Sequence, residues 1–186
     1  MPHITEFSAE RRSGNERRRP DDESDARSPD TALAEDPIAA WPLVVPAALR
    51  ELRCLDPWCQ VVHRSLVDAF DGDHASAGRA WDDEVSWQLS GPDPTPGVLP
   101  AVGGPAVRAY HAKLEARTAG TFRQELILLE AGRGPIVEAH ARTTARRGER
   151  LLDIPTLLVF ELASLRIRRV TEIPGDVAAW EAFWGD

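Results

Sequence analysis

The stretch that decides the fold is residues 121–173, TFRQELILLEAGRGPIVEAHARTTARRGERLLDIPTLLVFELASLRIRRVTEI, which contains four segments of β-strand character. The turn residues Gly132, Gly134 and Gly148 separate the first three segments, and Ala163-Ser164 is a tight link to the fourth. Strands joined by such short turns pair as an antiparallel meander. The predicted strands are Thr121–Leu129, Pro135–Ala145, Arg150–Leu162 and Leu165–Ile173.

Helical signals precede this meander. Asp56 is a candidate N-cap and Pro57 suits the first position of a helix, which is predicted to end at residues 71–73. A second short helix is predicted over roughly His74 to Trp81. The apolar residues of the first helix recur at helical spacing, and they are Val61, Val62, Leu66, Ala69 and Phe70.

Between these helices and the meander, residues 82–89 become strand-like toward their end. The segment Gly91–Gly104 contains four prolines and four glycines and is predicted to be a loop. Pro105 opens a third helix. One face of that helix is apolar and carries Val107, Tyr110 and Leu114.

Helices followed by a meander predict an α+β domain, in which three N-terminal helices pack on one face of a curved antiparallel sheet. The amphipathic segment Val177–Trp184 is expected to cap this body. The domain is predicted to cover residues 57–186. Residues 1–36 are polar and charged and are predicted to be a disordered tail. Residues 37–56 contain Trp41 among other apolar residues and predict a partly ordered extension on the body or on a dimer partner.

The composition restricts the function classes. Of the 186 residues, 42% are hydrophobic, and no apolar run reaches the length of about 18 residues that a membrane span needs. The formal net charge of −8 argues against nucleic acid as a partner, because phosphate binding needs a positive surface. We expect a cytoplasmic protein without a metal or other cofactor, in which Cys54 and Cys59 are ordinary thiols.

Several short motifs occur in an order that resembles the SnoaL-like branch of the nuclear transport factor 2-like superfamily. They are Gly72-Asp73 between two helices, Trp81–Trp87, Gly103–Val107, Gly120–Arg123, Val159–Leu162, Arg166-Ile167, Glu172–Asp176 and Ala182–Trp184. The resemblance implies a cone closed by three helices, with the sheets of two chains often paired in a homodimer. Its members include polyketide cyclases, ketosteroid isomerases, limonene-type epoxide hydrolases and proteins without catalysis, so the fold does not fix the function.

The ketosteroid isomerase pattern does not fit this sequence. Gln88 stands where the carboxylate base of that family would be, Ser65 stands near the position of its tyrosine, and Leu158 stands near that of its second acid. Since glutamine does not take a proton and leucine does not donate one, we exclude that mechanism.

The strand Pro135–Ala145 offers a cyclase alternative. His140 and Arg142 share one face with Glu138 and Thr144, because side chains alternate along a strand. If this face lines the pocket, His140 is the best base and Arg142 holds an oxyanion. If the other face is inside, all four side chains form a solvated stripe, and alternation alone does not decide between the two.

Glu172 is the second candidate base, because the resemblance places an acidic residue near the end of the last strand in the epoxide hydrolases. With Arg142 and Asp153 it would make an acid–arginine–acid set that activates water. The residues expected to bind substrate are Trp87, Gln88, Tyr110, His111, Asp153, Thr156 and Leu158.

The leading hypothesis is therefore a cofactor-independent enzyme of secondary metabolism that cyclises or isomerises a hydrophobic, polyketide-like intermediate. Its catalytic residues would be His140, Glu172 and Arg142. A limonene-type epoxide hydrolase and a non-catalytic small-molecule-binding or scaffold protein are the alternatives.

Overall fold

The computed structural model describes residues 41–91 and 99–185. The predicted disordered tail, residues 1–36, lies outside these ranges, as does most of the predicted loop between Gly91 and Gly104. Within the described residues, no helix is long and apolar enough to cross a membrane.

One curved sheet of seven strands organises the fold. Its strands, in chain order, are β1 Leu43–Val44, β2 Trp81–Leu89, β3 Ala101–Val102, β4 Arg123–Ala131, β5 Ile136–Arg147, β6 Arg150–Ala163 and β7 Arg166–Pro174. Their order across the sheet is β1-β4-β5-β6-β7-β2-β3. The segment β4 to β7 is the predicted antiparallel meander.

Two parallel pairings extend this meander. β2 pairs in parallel with β7, and β1 pairs in parallel with β4. The sheet is therefore mixed, whereas the sequence predicted an antiparallel one. The reason is that β2 and β1 come from parts of the chain that precede the meander, and helices connect them to it. β1 and β3 have two residues each, which is too short for a recognisable sequence pattern.

Five helices of the described residues accompany the sheet. They are α1 Ala47–Arg50, α2 Pro57–Phe70, α3 His74–Gly78, α4 Gly104–Arg117 and α5 Val177–Trp184. α2 begins as predicted, because the Asp56 side chain accepts hydrogen bonds from the backbone N–H groups of Trp58 and Cys59, both at 2.9 Å. α3 is shorter than predicted, since the chain enters β2 at Trp81.

The helices cover the inner face of the sheet, and together they form a cone. α2 lies against β4 and β5, α4 lies against β2 and β3, and α5 lies against β6. Arg147 fixes the end of α5, because its Nη1 donates to the carbonyl oxygens of Phe183 at 3.1 Å and Trp184 at 2.8 Å. The inward residues of β6, which are buried, are Leu152, Ile154, Thr156, Leu158, Phe160 and Leu162.

The segment before α2 also packs on this body. Trp41, Val45 and Leu49 of α1 are buried. The backbone N–H of Gln124 donates to the carbonyl oxygen of Pro42 at 3.1 Å, next to the β1–β4 pairing. The described part of the extension therefore lies against the edge of the sheet at β4.

Candidate functional site

A buried carboxylate lies at the centre of the candidate site. Glu172 of β7 is only 1% exposed, and its side chain points into the cone. The indole N–H of Trp87 donates to its Oε2 at 3.3 Å, and Nε2 of Gln124 donates to its Oε1 at 2.6 Å. Leu158 of β6 lies directly opposite Glu172 in the strand register. The carboxylate thus has fixed donors on one side and an apolar wall beside it.

Two buried threonines extend this network across the sheet. Nε2 of Gln124 also lies 3.2 Å from Oγ1 of Thr143, the residue paired with it on β5. The hydroxyl groups of Thr143 and Thr156 share a hydrogen bond of 2.7 Å. The inward positions of β4, β5, β6 and β7 therefore hold a connected set of polar groups inside an otherwise apolar interior.

His111 of α4 lies at the helical side of the same space. It is 1% exposed, and burial lowers its pKa to about 3, so its imidazole is neutral at physiological pH. Within residues 41–91 and 99–185, neither ring nitrogen has a hydrogen-bond partner. Its ring lies edge-on to Trp87, with the ring centroids 4.5 Å apart, and beside Tyr110 at 5.3 Å.

Trp41 fills the space between these groups. Its indole is stacked on His111 with the centroids 5.6 Å apart and an interplanar angle of 8°. It meets Trp87 edge-on at 4.9 Å, and its N–H donates to Oε1 of Gln124 at 2.5 Å. We name the set Trp41, Trp87, His111, Gln124, Thr143, Thr156 and Glu172 the Glu172 cluster.

The predicted catalytic set is not assembled, and this is a correction. Side chains alternate along β5, and Ala141 and Thr143 are buried on the inner face. His140 and Arg142 therefore lie on the outer face of the sheet. His140 Nε2 is 3.1 Å from Oε1 of Glu130, and its side chain is 44% exposed. Glu172 is on the opposite face, so these two residues do not act on the same molecule as Glu172 within one chain.

Arg142 forms a bidentate ion pair with Asp153 on this outer face. Its Nε and Nη2 lie 2.7 Å and 2.5 Å from the two carboxylate oxygens. The hydrogen bond and the charge of Asp153 raise the pKa of Arg142, and the same contact lowers the pKa of Asp153. Asp153, predicted to bind substrate, is therefore solvent-exposed and paired.

The other predicted binding residues divide between the two faces. The structure places Trp87, Tyr110, His111, Thr156 and Leu158 in the buried interior. Gln88 points the other way and donates to Oγ1 of Thr171 at 2.9 Å. The sequence reasoning missed Gln124 and Thr143 as site residues. The sequence pattern that could have identified them is a single polar residue on an otherwise apolar strand face, where the residues at positions i−2 and i+2 are apolar.

Two further groups are relevant to metal and thiol chemistry. Ligand atoms of Glu130, Glu138 and His140 lie within 4.8 Å of one another on the outer face, where carboxylates commonly cluster without an ion. Sγ of Cys59 is 2.7 Å from Sγ of Cys54, and burial, followed by the contact with Cys54, raises the pKa of the Cys59 thiol to about 12. Cys54 borders a surface groove of about 490 Å³ beside α2, away from Glu172.

The comparisons with known proteins concern the fold. No protein-family model matches the sequence, and no curated protein matches it. Among solved structures, Bal32a from a soil-derived mobile gene cassette is 26% identical and has a TM-score of 0.59, over 69% of this chain and 96% of that one.

Two other similar structures carry fold names. A nuclear transport factor 2-like protein of unknown function from Burkholderia pseudomallei K96243 is 15% identical, with a TM-score of 0.57 over 71% of this chain and 100% of that one. A SnoaL-like polyketide cyclase candidate from Jannaschia sp. CCS1 is 13% identical, with a TM-score of 0.53 over 73% of this chain and 99% of that one. The chain has the nuclear transport factor 2-like fold that the sequence motifs implied. The expected homodimer stays a prediction.

Proposed function

We propose that this chain is a cofactor-independent enzyme of secondary metabolism that performs acid–base chemistry on a hydrophobic, polyketide-like molecule inside its cone. The reaction class is cyclisation or isomerisation, both of which begin with removal of an activated C–H proton. The observation that carries the proposal is the Glu172 carboxylate, which is buried in the interior and held by the N–H groups of Trp87 and Gln124.

The Glu172 carboxylate is suited to the role of base. It takes a proton from a carbon next to a carbonyl group, and the electron pair of the broken C–H bond forms the enolate. In a cyclisation the enolate carbon bonds to a second carbonyl carbon, and the proton on Glu172 passes to the resulting alkoxide. In an isomerisation the proton returns to a different carbon. Both sequences conserve protons and electrons without a co-reactant.

His111 is suited to stabilising the enolate oxygen. Its low pKa keeps the imidazole neutral, so one ring nitrogen donates and the other accepts a hydrogen bond. Its ring is next to Trp87, whose N–H contacts Glu172. A fixed donor in a water-poor interior stabilises developing negative charge more strongly than it would in water.

The epoxide hydrolase alternative loses support from the geometry. It requires an arginine between two acids, and Arg142 with Asp153 forms an exposed pair on the face opposite Glu172. The non-catalytic alternative has one observation in its favour, since Trp41 occupies the space next to Glu172. We therefore keep binding without catalysis as the second candidate function.

Proton exchange tests the proposal without knowledge of the substrate. A panel of hydrophobic 1,3-diketones is incubated in D₂O with the wild-type chain and with Trp41→Ala, and loss of the α-proton signal is followed by NMR. We expect exchange above the buffer rate, and a rate about 100-fold lower after Glu172→Gln. Glu138→Gln, a glutamate change on the outer face, is the matched control and keeps the rate.

Two results would contradict the enzyme function. One is exchange at equal rates with and without the Glu172 carboxylate. The other is the absence of exchange by both the wild-type and the Trp41→Ala chains, which would leave binding as the function.

A further inference from the structure

We infer that the Trp41 indole occupies the place of an aromatic ligand, and that the ligand is a planar bicyclic aromatic molecule with a hydrogen-bond donor on one edge and a second polar group. The inference rests on the proposed function for the location of the site, and it adds the chemical class of the occupant. Trp41 and this ligand exclude each other, so the chain holds its own site closed.

The contacts of Trp41 show which groups a ligand in its place would meet. The flat ring is stacked on His111, its edge meets Trp87, and its single polar atom is matched by Oε1 of Gln124. Trp81 and Trp87 also combine an aromatic contact with a satisfied N–H, which donates to Oγ of Ser65 and to Oε2 of Glu172 respectively, whereas the two tryptophans of α5 do not. Trp180 and Trp184 are packed against each other, and within the described residues their N–H groups have no hydrogen-bond partner.

His111 points to a ligand that carries one polar group more than indole does. It is 1% exposed, and in the described part of the chain both its ring nitrogens lack a partner. An unsatisfied buried polar group costs about 1–3 kcal/mol. A ligand that stacks as Trp41 does and extends a carbonyl or hydroxyl group to the imidazole removes that cost. Trp41 cannot do so, because its only polar atom is engaged by Gln124.

The segment that carries Trp41 is weakly attached, which allows the exchange. Its strand, β1, has two residues, and α1 has four residues and no side-chain N-cap. Segments with few backbone hydrogen bonds open at low free-energy cost, so a ligand can replace the indole without unfolding the sheet.

Ligand binding after removal of Trp41 tests the inference. Indole and 1-methylindole are titrated by calorimetry into Trp41→Ala, and the wild-type chain is titrated in parallel. We expect Trp41→Ala to bind indole at least about 10-fold more tightly than wild type, since the competing side chain is gone. We expect indole to bind about threefold to tenfold more tightly than 1-methylindole, because only indole donates to Gln124.

Two variants control for a simple cavity. Trp184→Ala removes another buried indole, whose N–H has no hydrogen-bond partner among the described residues, and it is expected to show no preference for indole over 1-methylindole. Adding Gln124→Leu to Trp41→Ala is expected to abolish the preference. Equal affinities for the two probes in Trp41→Ala, or the same preference in Trp184→Ala, would overturn the inference.

The wild-type chain provides the second measurement. Hydrogen exchange at the amides of Leu43, Val44 and Leu49 is expected to accelerate when indole saturates the chain, because the segment is displaced. Unchanged exchange would mean that Trp41 is a permanent core residue. Failure of both Trp41→Ala and Trp41→Leu to fold would overturn the inference as well, since a stand-in for a ligand is not needed for folding.

The two proposals fail in different ways. If the diketone panel shows no proton exchange but Trp41→Ala still prefers indole to 1-methylindole, the enzyme function is refuted and the aromatic site is supported. If proton exchange depends on Glu172 but Trp41→Ala does not prefer indole to 1-methylindole, the enzyme function is supported and the inference that Trp41 occupies a ligand's place is refuted.

Discussion

The two faces of β5 differ in how many polar side chains they carry and in how deeply those side chains are buried. On the outer face, the exposed side chains of His140 and Arg142 contact the carboxylates of Glu130 and Asp153. On the inner face, Thr143 belongs to a network that ends at the buried Glu172. The outer face carries most of the charged side chains, and they are exposed to water. The few polar groups of the inner face are hydrogen-bonded to one another.

This difference shows where chemistry is expected. Exposed ion pairs contribute little to stability and are screened by salt, because water has a high dielectric constant. A buried polar group is retained only if its hydrogen bonds are satisfied or if a ligand satisfies them. The inner face therefore has the features of a site, although the outer face has more of the residue types that sequence reasoning selects.

The largest expected effect of a single substitution at neutral pH concerns two glutamines, each of which donates a hydrogen bond from Nε2 to a threonine hydroxyl. Gln124 lies on the inner face at 1% exposure, and Gln88 lies on the outer face. We expect Gln124→Ala to lower the free energy of unfolding by about 3 kcal/mol, because it leaves Glu172 with a lost donor and creates a cavity. Gln88→Ala is expected to lower it by less than about 1 kcal/mol. Chemical denaturation measures both values, and equal values would refute the contrast.

The second effect concerns two histidines and pH. Burial lowers the pKa of His111 from its ordinary value of 6.5 to about 3 in the folded chain, so below pH 6.5 the unfolded chain binds a proton that the folded chain does not. Stability is therefore lost as the pH falls from 6.5 toward 3, by about 1.4 kcal/mol per pH unit.

His111→Phe keeps the stacked ring and removes the titration, and we expect it to flatten this acid limb. Denaturant unfolding between pH 7 and pH 4 measures the slope. His140→Gln on the outer face is the control and is expected to leave the slope in place. A steep acid limb that persists in His111→Phe would show that another group is responsible.

The smallest effect concerns the outer ion pair. We expect Arg142→Ala to change the denaturation midpoint slightly at low salt. The change is expected to vanish at about 1 M salt, where the Debye length is about 3 Å. A midpoint difference that survives high salt would mean that Arg142 makes a contact of another kind, and the two faces would then be less different than proposed.

The helices and the meander could be predicted from local signals. The Asp56 cap, the apolar spacing of α2 and the turn glycines between strands each depend on residues close in sequence. The parallel pairing of β2 with β7 could not be predicted in this way, because it joins residues that lie about 85 positions apart and leaves no local pattern.

The site could be predicted in part for the same reason. Glu172, Trp87 and His111 were named from the sequence, and the structure brings them together. The catalytic set predicted from the sequence also contained His140 and Arg142, which lie on the other face. The alternation of side chains has the same period on both faces of a strand, so it does not tell which face is buried. Trp41 was expected to lie on the body or on a partner chain. Its place in the interior depends on a tertiary contact with Gln124.

The Glu172 cluster also has a consequence for the order of folding events. Its hydrogen bonds span 83 residues from Trp41 to Gln124, 85 from Trp87 to Glu172 and 48 from Gln124 to Glu172. Contacts of such separation form slowly, since long loops must close first. During synthesis on the ribosome, the tryptophans emerge long before β7 does, so the cluster forms after Glu172 has left the exit tunnel. A chain truncated before β7 would expose two indoles and a half-closed sheet, which is a substrate for chaperones and proteases.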